Sequence, residues 1–182
     1  MADIQFSRDL PLAGMMHGGP GVSISAAPGA NRINLRAGDD ALAGLSKALG
    51  VALPTKPKTS TSKGSRHALW IGPDEWLVID EAGDPAADCA KVKAAHSAVD
   101  VSHRNTAILV NGPFAADVIN AGCPQDLSLE TFPVGACSRT VLGKIEVVLY
   151  RTAEDAFRVE CWRSYADYAF TFLADAAHDC MA

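Results

Sequence analysis

The amino-acid sequence predicts an α+β fold in which the chain forms two similar ferredoxin-like halves of βαββαβ order, joined near residue 103. The candidate elements run strand, helix, hairpin, helix, strand, and nearly the same order then repeats. The 182 residues, 48% of them hydrophobic, also suffice to bury a core without disulfides or a metal. We expect a flexible N-terminal arm over residues 1–22 and a single domain over 23–182, with halves at about 23–103 and 104–182.

The first half begins after the glycine-rich arm. Apolar and polar residues alternate over 32–36, which predicts a strand, and a helix with one leucine face then runs to Gly50. Residues 54–66 contain four basic residues, two prolines and no large apolar side chain. This composition predicts a mobile loop, because little apolar surface is available to offset the entropy of ordering.

A hairpin and a second helix complete the first half. Strands are predicted over 67–71 and 76–80, with a Gly-Pro-Asp-Glu turn between them. Asp84 and Pro85 predict the start of a helix whose apolar spacing extends to His96. A strand over 97–101 then follows.

The second half shows a comparable series of elements. They are a strand over 105–111, a helix from Pro113 to Gly122, strands over 136–142, 144–151 and 157–162, and a final helix from Ser164. Trp162 lies on the opposite face of its strand from Phe157 and Val159, so we predict that it contacts a partner. The other two tryptophans, Trp70 and Trp76, are expected in the core.

Composition excludes several classes of function. The formal net charge is −5 with no basic face, so nucleic acid is not an expected partner. Apolar runs stay below the ~20 residues that span a bilayer, and the N-terminus does not resemble a secretion signal. We therefore expect a cytoplasmic protein without a membrane association. The five scattered cysteines are typical of buried thiols in a reducing compartment.

Familiar catalytic patterns are missing from the sequence. It contains no phosphate-binding loop and no nucleophile elbow, and its histidines do not have zinc-ligand spacing, so no catalytic or metal site is expected. Asp100, Ser102 and His103 lie too close along one stretch to converge as a triad. Three arginines near strand ends are candidates for binding a carboxylate, although they can equally pair with acids: Arg104, Arg139 and Arg163.

Four longer motifs occur in order along the chain. They are ALWIGPDEWLVI at 68–79; VDVSHRNT at 99–106, continuing to VNGP at 110–113; GCPQDL at 122–127 with FPVG at 132–135 and CSRT at 137–140; and RSYA at 163–166. Together they resemble the gamma subunit of the heterotetrameric sarcosine oxidase family over roughly residues 30–175.

That resemblance implies a fold related to the folate-binding domains of the glycine cleavage T-protein. It also implies a noncatalytic subunit, with alpha, beta and delta subunits as partners, in a complex that oxidises sarcosine to glycine. The products of such a complex include hydrogen peroxide and either formaldehyde or methylenetetrahydrofolate. The resemblance places FAD, FMN, NAD, zinc and tetrahydrofolate in the other subunits and no cofactor in this chain.

Two other interpretations remain open at the level of sequence. A stand-alone folate-binding or one-carbon transfer protein would use Arg104, Arg139 and Arg163 to receive a glutamate tail or an amino-acid carboxylate. A general interaction module would instead bind proteins unrelated to flavin chemistry. No T-protein motif for catalysis or folate binding has a definable counterpart in this sequence.

Overall fold

The computed structural model describes residues 10–180, which form strands and helices in two groups. In chain order the elements are β1 (Met16–Gly19), β2 (Val22–Ala26), β3 (Asn31–Ala37), α1 (Asp39–Leu49), β4 (Ser60–Lys63), β5 (Arg66–Gly72), β6 (Glu75–Asp80), α2 (Pro85–Cys89), β7 (His96–Asp100), β8 (Asn105–Asn111), α3 (Ala115–Asn120), β9 (Cys137–Leu142), β10 (Ile145–Ala153), β11 (Ala156–Trp162), one turn of 3₁₀ helix (Arg163–Tyr165) and α4 (Ala166–Cys180). None of the helices within the described residues combines the length and apolar character needed to cross a membrane.

The strands form two antiparallel sheets, which confirms the predicted α+β fold. The five-stranded sheet has the order β4-β5-β6-β3-β7. Its last four strands, with α1 and α2, reproduce the predicted βαββαβ unit of the first half, and β4 adds an edge strand. Gly50 ends α1 in the left-handed conformation at φ 69°, as its position predicts.

The second half has the elements predicted one by one from the sequence, and this order departs from a strict βαββαβ unit. Three consecutive strands, β9 to β11, lie between α3 and α4, and the six-stranded sheet has the order β1-β2-β8-β11-β10-β9. The N-terminal strand β2 therefore belongs to the second sheet, where Ile24 lies opposite Val110 and both are fully buried. The segment that begins at residue 23, expected to open the first half, thus contributes a strand to the sheet of the second half.

The predicted flexible arm is ordered where the structure describes it. Leu12 is buried in the core of the second sheet, and β1 pairs with β2 through a turn containing Gly21 at φ 93°. A Cβ at Gly112 would collide with the Gly21 backbone, so these two glycines permit a close approach of the chain. Residues 1–9 of the predicted arm lie outside the described residues.

The predicted mobile loop over 54–66 is also partly ordered. Ser60–Lys63 pairs with β5, and the indole Nε1 of Trp76 donates a hydrogen bond of 2.7 Å to the backbone oxygen of Pro54. Backbone pairing, this buried hydrogen bond and polar side-chain contacts, such as Ser60 Oγ donating to the Gly135 oxygen at 2.6 Å, order the segment without large apolar side chains.

Several predicted details of the helices change in the structure. The helix from Pro85 ends at Cys89, and His96 begins β7 instead. Tyr165 and Phe114 lie in the predicted last and third helices, where a large apolar side chain is expected on the buried face, yet they are 39% and 40% exposed. Phe170 is buried in α4, and this helix begins at Ala166, after the 3₁₀ turn, and not at Ser164.

The two sheets stack face to face between two helical layers. Helices α1 and α2 pack on the outer face of the five-stranded sheet, and α3 and α4 on that of the six-stranded sheet. A third core lies between the inner faces and consists mainly of Leu69, Ile71, Leu77, Ile79, Val101, Cys137 and Tyr150. The inner faces therefore bring side chains from both sheets together.

Candidate functional site

The inner face of β11 carries alternating polar residues that meet the opposite sheet. Phe157, Val159 and Cys161 point to the helical side, as the alternation predicts. Arg158 and Glu160 point the other way and are 6% and 1% exposed, because the five-stranded sheet covers them. Sequence alternation identified the two faces but gave no sign that both are buried.

A buried ion-pair network joins the two sheets at this place. Arg32 Nε on β3 donates to one carboxylate oxygen of Glu160 at 2.7 Å, and Arg158 Nε donates to the other at 2.8 Å. Arg158 also reaches Glu81 at 3.0 Å. Burial opposes the charge of Arg158, but the two carboxylates outweigh it and raise the pKa of its guanidinium. Sequence analysis missed this network because its members are up to 128 residues apart.

Beside the network the sheets separate and leave a cleft of about 240 Å³. Its apolar walls come from both sheets and include Ile71, Leu77, Val101 and Val148. Its polar lining includes Asn34, Glu75, Glu146, Glu160, Arg104, Asn105 and Arg139, with Trp162 at the same place. A concave apolar site with a few polar groups is the usual form of a small-molecule site.

One predicted arginine closes part of this cleft by an internal ion pair. Arg139 Nη2 donates to Glu75 Oε1 at 2.8 Å, and the same oxygen accepts a hydrogen bond of 2.7 Å from Asn34 Nδ2. Burial acts to raise the pKa of Glu75, but the hydrogen bonds from Arg139 and Asn34 lower it overall. The charge of Arg139 is therefore already partnered within the chain.

The second predicted arginine lies on an aromatic surface at the same cleft. The guanidinium carbon of Arg104 is 4.1 Å from the centre of the Trp162 ring. Trp162 in turn stacks on Tyr165, with 5.8 Å between ring centres and 22° between planes. We call Arg104, Trp162 and Tyr165 the aromatic platform. Trp162 is 37% exposed, which fits its predicted outward orientation.

The third predicted arginine, Arg163, does not line the cleft. It is exposed and borders a shallow surface hollow together with Pro11, Arg104, Trp162 and Ser164. The structure thus brings Arg104 and Arg139 together at one cleft and leaves Arg163 beside it.

The remaining candidate groups have structural partners. Ser102 Oγ accepts a hydrogen bond from the backbone N–H of Arg32 at 2.8 Å, and Asp100 Oδ1 accepts one from the Ser102 N–H. His103 is exposed. Within residues 10–180, no group of three or more His, Cys, Asp or Glu side chains is arranged to hold a metal ion.

The cysteines follow the prediction of scattered, unpaired thiols, with four of the five buried. Burial raises the pKa of the Cys137 and Cys161 thiols to about 12 and that of Cys89 to about 11. Such thiols carry little thiolate at neutral pH and are poor nucleophiles. Cys180 is exposed at the end of α4.

Known proteins similar to this chain identify its family. The family model described as "Sarcosine oxidase, gamma subunit family" matches residues 35–179. The chain belongs to this family. The gamma subunit of sarcosine oxidase from Corynebacterium sp. (strain U-96) is 32% identical over 151 residues, which cover 80% of this chain and 74% of that protein. The gamma subunit from Arthrobacter sp. is 30% identical over 153 residues, covering 81% and 75%.

Solved structures agree with the family assignment. A chain of the heterotetrameric sarcosine oxidase from Corynebacterium sp. U-96, solved with pyrrole 2-carboxylate, matches this gamma-family fold with a TM-score of 0.87 at 28% identity, over 96% of this chain and 97% of that chain. The glycine cleavage system aminomethyltransferase T from Bartonella henselae matches with a TM-score of 0.63 at 17% identity, over 87% of this chain and 49% of that chain. The second match shows likeness of fold alone and agrees with the predicted T-protein-like architecture.

Proposed function

We propose that this chain is the gamma subunit of a heterotetrameric sarcosine oxidase and that it contributes structure, not catalysis, to the complex. The complex oxidatively demethylates sarcosine to glycine, with hydrogen peroxide and either formaldehyde or methylenetetrahydrofolate as products. The main support is the similarity over nearly the full length of both chains to a subunit of such a complex. The family match over residues 35–179 supports the same role.

The partners in this proposal are the alpha, beta and delta subunits of the complex. These subunits hold FAD, FMN, NAD, zinc and tetrahydrofolate, whereas this chain holds none of them. The assembled complex is placed in the cytoplasm, in line with the reducing compartment that the free cysteines favour.

The chemistry of the charged groups supports a noncatalytic role. Both carboxylate oxygens of Glu160 accept hydrogen bonds from arginines, and Glu75 is held by Arg139 and Asn34. A general base needs a lone pair directed at a substrate and a pKa near neutrality. These carboxylates direct their oxygens at donors of the same chain and join the two sheets.

The aromatic platform supports assembly with a partner. Trp162 and Tyr165 expose 37% and 39% of their surfaces although they are large aromatic side chains. Tryptophan, tyrosine and arginine are the residue types enriched among the dominant contacts of protein interfaces. We therefore place a subunit contact on this platform, with Trp162 at its centre.

Co-expression of the four subunits, with this chain present or omitted, tests the proposed function. The purified chain alone should leave sarcosine unoxidised in an assay of hydrogen peroxide, and omission of the chain should reduce the yield of intact flavin-containing complex. Oxidation of sarcosine by the purified chain would contradict the noncatalytic role. Submillimolar binding of tetrahydrofolate by the chain without any partner would favour the alternative of a stand-alone folate-binding protein.

A further inference from the structure

We propose that the cleft between the two sheets binds a small organic acid that carries an N–H or O–H donor beside its carboxylate. Arg104 holds the carboxylate, and Asn105 Oδ1 accepts a hydrogen bond from the donor. The site is a property of the folded chain and does not depend on the role proposed for it in a complex.

The size of the cleft sets the scale of the ligand. Its volume of about 240 Å³ is below the roughly 300–1,000 Å³ of sites for drug-sized molecules. Val101 and Val148 face it from the two halves of the chain, and Leu77 adds a third apolar wall. A ligand with a short aliphatic body fits walls of this kind, whereas a nucleotide or a large ring system exceeds the volume.

The charged groups that line the cleft differ in whether they already have partners. Glu75 and Arg139 form an ion pair with each other, Glu160 is held by two arginines, and Glu146 is exposed. Arg104 is different, because no acidic side chain of residues 10–180 forms an ion pair with it. Its contact is the face of the Trp162 ring at 4.1 Å.

This contact prepares Arg104 to bind an anion. Stacking on an aromatic ring occupies the flat face of a guanidinium and leaves the N–H groups along its edge available. Those N–H groups match the two oxygens of a carboxylate and can donate to both at once. Because the Trp162 ring also restricts the side chain, less conformational freedom is lost when the anion binds.

The neighbouring residue, Asn105, supplies the second recognition element. It begins β8 opposite Trp162 in the register of the sheet, so it lies at the base of the aromatic platform. Its Oδ1 atom is buried and has no hydrogen-bond partner among the described residues. A buried acceptor of this kind is stabilised by a donor, which an amino or hydroxy group beside the carboxylate provides.

Nuclear magnetic resonance of the ¹⁵N-labelled full-length chain tests this site with glycolate, glycine and acetate as probes. Glycolate and glycine should shift the amide signals of cleft residues such as Asn34, Val148 and Asn105. The size of these shifts should saturate as the concentration of the probe rises. Acetate lacks the donor for Asn105 and should bind roughly two- to tenfold more weakly.

Two matched variants locate the anion contact. Arg104→Met keeps an unbranched side chain against Trp162 but removes the charge, and it should weaken glycolate binding about tenfold or more. Arg163→Met removes a neighbouring exposed charge outside the cleft and should change the affinity less than twofold. Both spectra without ligand report whether the variants are folded.

Three outcomes would overturn the proposal. One is the absence of saturable shifts in the cleft with any probe at tens of millimolar. Another is an equal loss of affinity in Arg104→Met and Arg163→Met, since that would indicate general attraction to surface charge. The third is shifts confined to Tyr165 and the outer surface, which would place the anion outside the cleft. None of these results bears on assembly with other subunits, so failure here is distinguishable from failure of the proposed function.

Discussion

Arg32 and Glu160 form a buried ion pair of 2.7 Å between strands that belong to different sheets. The two residues are 128 positions apart in the chain, and their side chains are 4% and 1% exposed. Arg158 binds the other oxygen of the same carboxylate at 2.8 Å. One acid therefore neutralises two buried arginines and fixes how the two halves stack.

Replacing this carboxylate should destabilise the whole domain. Glu160→Gln leaves two buried guanidiniums without a full anionic partner, so the free energy of unfolding should fall by about 3 kcal/mol. Urea denaturation followed by tryptophan fluorescence measures the change. Glu146→Gln is a matched control on the same sheet, since Glu146 is exposed, and it should alter stability by no more than about 0.5 kcal/mol. Equal effects of the two substitutions would contradict the role given to Glu160.

Trp162→Ala should weaken assembly and leave the isolated fold intact. Its ring is 37% exposed and lies on the aromatic platform. If Trp162 is one of the dominant interface residues, its truncation should weaken the free energy of binding to the partner by about 2 kcal/mol or more. Sedimentation of the co-expressed subunits measures the loss of complex. Thermal unfolding of the isolated variant should change little.

Trp76→Ala provides the contrasting case for the same residue type. Trp76 is 1% exposed and donates a hydrogen bond to Pro54, so its truncation should cost about 3–5 kcal/mol of stability. If Trp162→Ala unfolded the chain to a similar extent, Trp162 would be a core residue and the interface assignment would be wrong.

Asp80 makes stability depend on pH in the acid range. Burial acts to raise the pKa of Asp80, but hydrogen bonds from the Ala82 and Gly83 N–H groups, Ser65 and Arg66 outweigh it and hold the pKa well below its usual value. A depressed pKa in the folded state contributes stability above the unfolded pKa of about 4, and that contribution is lost as pH falls below it. The free energy of unfolding of the native protein should therefore fall as the pH is lowered below about 5. The total loss is about 1.4 kcal/mol for each unit by which the folded-state pKa lies below the unfolded pKa.

Asp80→Asn tests this origin of the acid sensitivity. The variant should be less stable at pH 7 by on the order of 2 kcal/mol and should show a shallower decline towards acid pH. Asp74→Asn is the control, because Asp74 is exposed and its ion pair with Arg36 is at the surface. Urea midpoints at several pH values would contradict the assignment if Asp80→Asn declined as steeply as the native chain.

Thiol labelling should distinguish one cysteine from the other four. Cys180 is exposed, whereas burial raises the pKa of the Cys137 and Cys161 thiols to about 12. Iodoacetamide at pH 8 should therefore modify about one thiol per native chain, and Cys180→Ser should abolish the fast reaction. Peptide mass spectrometry identifies the site, and rapid modification of Cys161 would show that this thiol, in the core between the six-stranded sheet and its helices, is more accessible than the structure indicates.

Local patterns in the sequence were sufficient for most elements of the fold. Gly50 ends its helix as predicted, and the alternation around Val159 placed both faces of β11 correctly. Such features depend on neighbouring residues, which the sequence displays directly. The four motifs carried the family resemblance for the same reason.

Long-range pairing was the part that local patterns did not reveal. Nothing near Ile24 indicates that its strand pairs with β8, some 86 positions away, because an amphipathic strand is compatible with many partners. The candidate arginines show the same limit. Arg104 and Arg139 were identified by type, but only the fold shows that Arg139 has an acidic partner and Arg104 lies on an aromatic ring.

Native mass spectrometry after affinity purification of this chain from its own host tests the central claim most directly. One copy of the chain should be recovered together with one copy of each of three different chains. The absorption spectrum of this particle should show the bands of flavin. Recovery of the chain only as a monomer or as a homo-oligomer, from cells that actively oxidise sarcosine, would contradict its role as a subunit.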